Sequence, residues 1–310
     1  MITTITLNPM LDKTVAVDRL ELGTIHRASK IEMVPGGKGL NVSLQLNLWG
    51  IKTIATGFLG GEIGSMITRL LNEKNIDHDF IMTDALTREG VTYRESSGAW
   101  TSVFEPPLPI QERFIQGLAK KIDALTPQST WIVCGGSSPV PEADNLYFDT
   151  ISKAQKKGIP TVLDSYGNAF QLALKAMPTL VKPNKREFET TFGQSLHDEK
   201  DFLQAINHLL DGGIQYVIIT DGANDCYGGF RGHTWRVTPP KVRGENATGS
   251  GDVMIAGILY GFRQGWKFER ALIFGAAAGA ANAAKWEVAE VTLDEVAALE
   301  PHVVARRVSN

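Results

Sequence analysis

The stretch TWIVCGGSSPVPEADNLYFDTISKAQKKGIPTVL, Thr130–Leu163, decides the fold class. Thr130–Cys134 and Pro160–Leu163 are short apolar runs of strand length, and Asp144–Lys157 between them carries a helical pattern. Strand, helix and strand in succession argue for neighbouring parallel strands joined by a crossover. The same rhythm extends outward. Ile2–Leu7, Ile51–Gly57, Thr179–Val181 and Tyr216–Thr220 read as further strands, and Leu40–Trp49, Ser65–Lys74, Ile110–Leu125 and Leu203–Leu210 as helices. The expectation is an α/β chain whose mostly parallel sheet is covered by helices on both faces. Two stretches break the rhythm. Lys13–Met33 and Thr87–Phe104 alternate without a helix and read as a small inserted β-sheet, a lid over the site. The final third reads as helical. Its run Phe274–Ala284 is mostly alanine and glycine, which permits close packing against a neighbour or a flat ligand. No internal repeat or low-complexity linker divides the chain, so residues 1–310 read as one domain.

Composition narrows the function classes. With 310 residues and 43% hydrophobic content the chain can bury a large core. A net charge of -3 without a polybasic run argues against nucleic acid or an anionic membrane surface as partner. No stretch reaches the ~18 apolar residues of a membrane span. Met1–Asp12 reads as a first strand, not a signal peptide. Cys134 and Cys226 stand far apart without a CxxC partner, so neither a disulfide framework nor a zinc site is indicated and a reducing cytoplasm fits. His26, His78, His197, His208, His233 and His302 are scattered without metal-ligand spacing.

Chemistry concentrates in a few loop-to-helix junctions. Asn246-Ala247-Thr248-Gly249-Ser250-Gly251-Asp252 runs into the apolar stretch Val253–Phe262. Small residues opening a helix leave backbone N–H groups bare at the positive end of its dipole, a cradle for phosphate oxygens and for charge developing in phosphoryl transfer. Gly249, Ser250 and Gly251 form that cradle in this reading. Asp252, in the first turn, is placed to accept a hydroxyl proton as the oxygen attacks phosphorus. A plain glycine turn with an acidic helix start gives the same string. Gly36-Gly37-Lys38-Gly39-Leu40-Asn41 also opens a helix; Asn41 can both donate to and accept from sugar hydroxyls. It lacks the spacer and trailing Ser/Thr of a Walker A loop, and a simple turn explains it equally. In Lys182-Pro183-Asn184-Lys185-Arg186-Glu187, Asn184 and Glu187 have capping-box spacing, and the same pair suits hydrated Mg²⁺ and nucleotide phosphates. Asn8 and Asp12 flank the end of the first strand, where open α/β sheets bind ligands; an Asx turn is the alternative. Arg88 and Arg94 fall on the inserted sheet and suit phosphate, or face solvent.

In this order, the segments resemble the ribokinase-like (PfkB) carbohydrate kinase family. Thr6-Leu7-Asn8-Pro9-Met10-Leu11-Asp12 is similar to its phosphofructokinase branch, which holds 1-phosphofructokinase, tagatose-6-phosphate kinase and the minor 6-phosphofructokinase. Gly36–Asn41, with Ser43, Gly50 and Gly60 at fitting intervals, resembles the first family signature, and Gly249–Asp252 the second. The resemblance implies a Rossmann-like parallel sheet flanked by helices (the ribokinase-like fold) with a small β-sheet lid that often mediates a homodimer. It also implies ATP and Mg²⁺. By motif match, Asp252 is the catalytic base. Asp12, Gly37, Asn41 and Arg88 touch the sugar phosphate, with Lys38 and Arg27 as further cations, and Gly136-Ser137-Ser138-Pro139 closes the sugar site. Asn184 and Glu187 serve phosphates and metal, Glu187 through water. Thr220-Asp221-Gly222-Ala223 is the nucleotide-side loop, and Asn282 borders adenine. The chain departs from the branch at Glu89-Gly90 after Arg88, at Pro106, at Ala247 and at Lys285-Trp286-Glu287, so no monovalent-cation site is carried over to that last segment. The implied activity is phosphorylation of a phosphosugar. The alternatives are a kinase for an unphosphorylated sugar or nucleoside, and a non-catalytic sugar-phosphate sensor.

Overall fold

The computed structural model describes residues 1–107 and 109–308. Its main sheet runs, in spatial order, Val304–Val308, His233–Thr238, Cys226–Phe230, Tyr216–Ile219, Leu180–Val181, Thr161–Asp164, Trp131–Gly135, Ile2–Thr6, Thr53–Gly60 and Asp77–His78, with Ile81–Thr83 also paired to Thr53–Gly60. From Tyr216–Ile219 to Asp77–His78 every pairing is parallel. The three strands at the other edge are antiparallel. Ile2–Thr6 lies between two parallel neighbours and is buried at every position, which is why it reads as an unbroken run of Ile and Thr.

Helices cover both faces over two apolar cores. One core gathers Leu40, Val253, Ile258 and Leu272; the other gathers Leu118, Tyr147, Phe170 and Ile206. The helices Ser250–Arg263 and Phe268–Ala283 pack so closely that a Cβ on Gly257 would sit 2.9 Å from the Gly275 Cα. One face of the small-sided run meets a helix, while Ala276, Gly279, Ala280 and Ala283 line a cavity.

A separate four-stranded sheet orders Lys30–Gly36, Met10–Val17, Arg88–Glu95 and Trp100–Phe104. Its first strand pair begins earlier and ends later than Lys13–Met33, while the second falls within Thr87–Phe104, and Asp12 belongs to this sheet rather than to the end of the first main strand. The final third is not wholly helical: Cys226–Phe230, His233–Thr238 and Val304–Val308 are strands. Gly228 and Gly229 hid the first of these. A Cβ on either would lie 2.4 or 2.3 Å from Leu272 or Ile206, so packing there excludes the side chains that mark a strand. No helix among the described residues is long and apolar enough to cross a membrane.

Candidate active site

Five parallel strands deliver polar residues at their carboxyl ends, the usual ligand side of an open α/β sheet. Ile2–Thr6 leads to Asn8, Trp131–Gly135 to Ser137, and Thr161–Asp164 ends on Asp164. Leu180–Val181 leads to Lys182 and Asn184, and Tyr216–Ile219 to Thr220 and Gly222. Three helices start at the same end, with Gly37, Asn184 and Gly249 as N-caps.

Gly249 sits at φ 75°, a left-handed conformation that favours glycine, and a Cβ there would also come 2.8 Å from Val288 Cγ1. The Ser250 and Asp252 N–H groups donate to the carbonyls of Ala247 and Gly249, at 3.2 and 2.9 Å. A Cβ on Gly251 would lie 2.9 Å from Lys182 Nζ, so the bare backbone there is an approach path that a side chain would fill. Asn282 stands behind this turn rather than on the cavity wall. It is fully buried, donates to Thr248 O at 2.8 Å and to Ser250 Oγ at 3.1 Å, and accepts from Ala289 N at 2.8 Å. The adenine-border role is thus corrected: every polar group of Asn282 is spent on fixing the turn. Asn246, the first residue of the motif and given no role of its own there, supports the same turn by accepting from Thr248 N and donating to Trp286 O, both at 3.0 Å.

Asp252 is buried and accepts a hydrogen bond from Asn41 Nδ2 at 2.8 Å. Burial, reinforced by the Asp164 charge, pushes its carboxyl up to about 7, against the pull of Lys38, Asn41 and Lys182. Beside it lies an ion cluster that sequence motifs did not reveal. Asp164 accepts from Lys38 Nζ at 2.7 Å and pairs with Lys182 Nζ at 3.1 Å. Burial opposes the Asp164 charge, but the two ammonium groups hold its carboxyl below the ordinary range. Burial likewise opposes the Lys38 charge, and Asp164, Glu187 and Asp252 outweigh it, raising the ammonium above its ordinary value.

Asn184 and Glu187 form a full capping box: Glu187 N donates to Asn184 Oδ1 at 2.8 Å and Asn184 N to Glu187 Oε2 at 2.9 Å. Glu187 Oε1 takes the second Lys38 bond. Each Glu187 oxygen thus accepts one bond and keeps a lone pair that is compatible with a hydrated ion nearby. Among the described residues no cluster of three or more His, Cys, Asp or Glu side chains is arranged to hold a metal.

Lys38, Asp164, Lys182, Asn184 and Asp252 border a cavity of about 870 Å³. One part of its wall is cationic and polar, with Lys38, Lys182, Asn184, Lys185 and Arg186 beside the Gly249–Asp252 turn. Thr220–Ala223 adds a loop, and Met254, Val242 and the alanine-glycine helix face supply an apolar surface. Asn184 and Thr220 are joined by a parallel bridge, and Lys185 N donates to Thr220 O at 2.8 Å, which fixes that loop against the capped helix.

Asp12, Asn8, Ser137 and Arg88 form a second group beneath the small sheet. Asn8 Nδ2 donates to Ser137 Oγ at 3.1 Å. Burial pushes Asp12 up to about 7, with Arg88 pulling the other way. The Arg88 guanidinium donates to the carbonyls of Asn8 and Glu105, each at 3.3 Å, and its buried Nε has no partner. Gly37 caps the Lys38–Leu48 helix, its carbonyl accepting from Asn41 N at 2.9 Å. Arg27 is exposed on the loop between Met10–Val17 and Lys30–Gly36. Arg94 is not solvated: it is buried over the Trp286 ring, 5.2 Å from its centre.

A Rossmann-like sheet, a glycine cradle at a helix start and a buried carboxylate in its first turn together define a phosphoryl-transfer fold. The pfkB family carbohydrate kinase model matches residues 5–293, and the chain belongs to that family. It is a carbohydrate kinase. Phosphofructokinase-2 from Escherichia coli, solved with substrates and products, is 25% identical over 97% of this chain and 98% of its own, with a TM-score of 0.89. A candidate phosphofructokinase from Staphylococcus aureus is 28% identical over 100% and 99%, with a TM-score of 0.81. A possible 1-phosphofructokinase from Thermotoga maritima shares the fold at a TM-score of 0.90, with 22% identity over 100% of both chains.

Proposed function

We propose that this kinase transfers a phosphoryl group from ATP to a hydroxyl of a phosphorylated ketohexose, as 1-phosphofructokinase, tagatose-6-phosphate kinase or 6-phosphofructokinase does. The observation that carries the reading is Asp252, buried at the cavity wall beside the Gly249–Gly251 cradle and poised near neutral pH. A base with that affinity for protons can take one from an alcohol and release it again. When bound, ATP with hydrated Mg²⁺ supplies the transferable phosphoryl group. Ala276, Gly279, Ala280 and Ala283 offer a base a flat apolar wall, and Thr220 and Gly222 border the same cavity. Gly249 and Gly251 present backbone to phosphate oxygens, and Ser250, its N–H bonded to the Ala247 carbonyl, completes the turn between them. Asn184 and, through water, Glu187 face the metal side.

The acceptor lies toward Asp12, Gly37, Asn41 and Ser137 in this proposal, under the small sheet acting as a lid on one 1–310 domain. Support for a phosphorylated acceptor is Arg88, whose buried Nε–H lacks a partner. The bonds from Arg88 to the Asn8 and Glu105 carbonyls favour a second reading, in which the guanidinium is structural and the acceptor is an unphosphorylated sugar. A coupled ADP-release screen with fructose 1-phosphate, fructose 6-phosphate, tagatose 6-phosphate and the free sugars separates them: the leading reading requires a phosphosugar to give the highest kcat/KM.

The proposal extends to assembly. One face of the small sheet exposes Ile31, Met33 and Val103, an apolar surface that a homodimer paired through it would bury. A tetrameric form of Escherichia coli phosphofructokinase-2, 25% identical, has been solved. The free, buried cysteines fit a cytoplasmic enzyme.

A further inference from the structure

Asp164 contributes nothing to the motifs, yet it is the residue on which the cationic wall converges. It ends the strand Thr161–Asp164, which is hydrogen-bonded to a parallel neighbour on each side, and it is fully buried. Each of its oxygens meets a different ammonium: Oδ1 takes Lys38 at 2.7 Å, and Oδ2 pairs with Lys182 at 3.1 Å. The partners arrive from separate segments, Lys38 from the first glycine-rich helix start and Lys182 from the residue after Leu180–Val181. All three residues border the cavity together with Gly249, Ser250, Gly251 and Asp252.

We propose that Asp164 is a positioning residue for phosphoryl transfer, fixing the ammonium groups of Lys38 and Lys182 beside the Gly249–Asp252 turn. The inference rests on the kinase reading and deepens it. An ammonium has three N–H donors. Lys38 spends one on Asp164 and one on Glu187, while Lys182 pairs with Asp164 Oδ2 at 3.1 Å as an ion pair without a hydrogen bond to it. Donors therefore remain on both. Those of Lys182 are at Gly251, where its Nζ lies 2.9 Å from the position of a Cβ. The Lys182 side chain is 3% exposed, and a cation so removed from water needs a fixed counter-charge to stay in place. A rigid strand end provides one that cannot follow the lysines into the cavity. Cations held in advance where negative charge develops need no reorganisation during the reaction, which is the origin of their catalytic value.

The test compares Asp164→Asn, Lys182→Met and the double variant with wild type. The acceptor is whichever sugar wild type phosphorylates fastest, so an error in the proposed acceptor class shows separately. Steady-state kinetics, thermal melting and calorimetric binding of ADP are measured on each. The expected result is a fall in kcat of about 100-fold for either single variant with acceptor KM within about 3-fold of wild type. The double variant should lie within about 3-fold of the worse single, because the residues act as one unit. A folded Asp164→Asn with wild-type kcat overturns the proposal, as do losses that multiply in the double variant, or losses seen only in melting temperature. Should Asp164→Asn fail to fold, Lys182→Met decides: wild-type kcat overturns the proposal, and a fall of about 100-fold at unchanged acceptor KM supports it.

Discussion

Asn41 donates to Asp252 across 211 positions of sequence, a 2.8 Å bond that ties the start of the Lys38–Leu48 helix to the start of Ser250–Arg263. The bond favours the charged form of Asp252, against the burial that disfavours it. Asn41→Ala removes the one side-chain donor bonded to that carboxylate among the described residues, so its affinity for protons rises further. The acid limb of the pH–kcat/KM profile should move to higher pH by about one unit, the worth of a charge-assisted hydrogen bond. A limb that stays in place or moves down contradicts the assignment of Asp252 as base.

Asp12 and Asp252 make stability depend on pH in the less common direction. Both are pushed up to about 7 in the folded state, so the folded chain holds protons that the unfolded chain has already released. Stability from these groups is highest at about pH 4, falls as pH rises toward 7, and stays low above it. Asp12→Asn removes one of the two penalties. It should raise the melting temperature at pH 8, by an amount that shrinks as pH approaches about 4, while impairing acceptor binding. An increase equal at both pH values would rule out the titration as its cause.

The two cradle glycines should respond differently to alanine. Gly249→Ala strains a left-handed residue and presses Val288 Cγ1, so it should cost about 1–2 kcal/mol of stability along with activity. Gly251→Ala meets only the flexible end of Lys182, so turnover should fall by about 10-fold or more with little change in melting. Melting and kcat measured on both variants check this. A Gly251→Ala protein that melts far below wild type yet keeps its turnover makes that glycine structural.

Arg88 tests the acceptor class. If it anchors a phosphate, Arg88→Ala loses an interaction worth about 1.5–3 kcal/mol, and KM for the phosphosugar rises roughly 10–150-fold while KM for ATP holds. The ratio of kcat/KM for a phosphosugar to that for its unphosphorylated parent, taken in wild type and variant, is the informative measurement. An unchanged ratio assigns Arg88 to the Asn8 and Glu105 carbonyls it already bonds.

What sequence could reveal follows from where information is local. The central strands were legible because Ile2–Thr6 and Trp131–Gly135 each lie between parallel neighbours and so read as short runs without charged residues, rich in β-branched or apolar side chains. The glycine turns were legible because a helix start needs its cap and its first turn within a few residues, as Gly249 and Asp252 are. Asp164 was not, because a single acid after a strand is commonplace. Its meaning lies in Lys38, 126 positions away, and only the sheet order brings them together. Asn282 was misread for a similar reason. Its helix does line the cavity, but the helical phase turns that one amide inward to Thr248 and Ser250. Arg94 looked like a solvated strand cation until Trp286, 192 positions on (286 − 94), covered it.

The most direct measurement is kcat for Asp252→Asn on the best acceptor, with nucleotide affinity determined alongside. Asparagine keeps the shape and the Asn41 neighbour and removes the basicity. The account predicts a fall of about 10²–10⁴ in kcat with ATP affinity little changed. Turnover within a few-fold of wild type would contradict it, because the buried carboxylate beside the glycine cradle would then not be the proton acceptor.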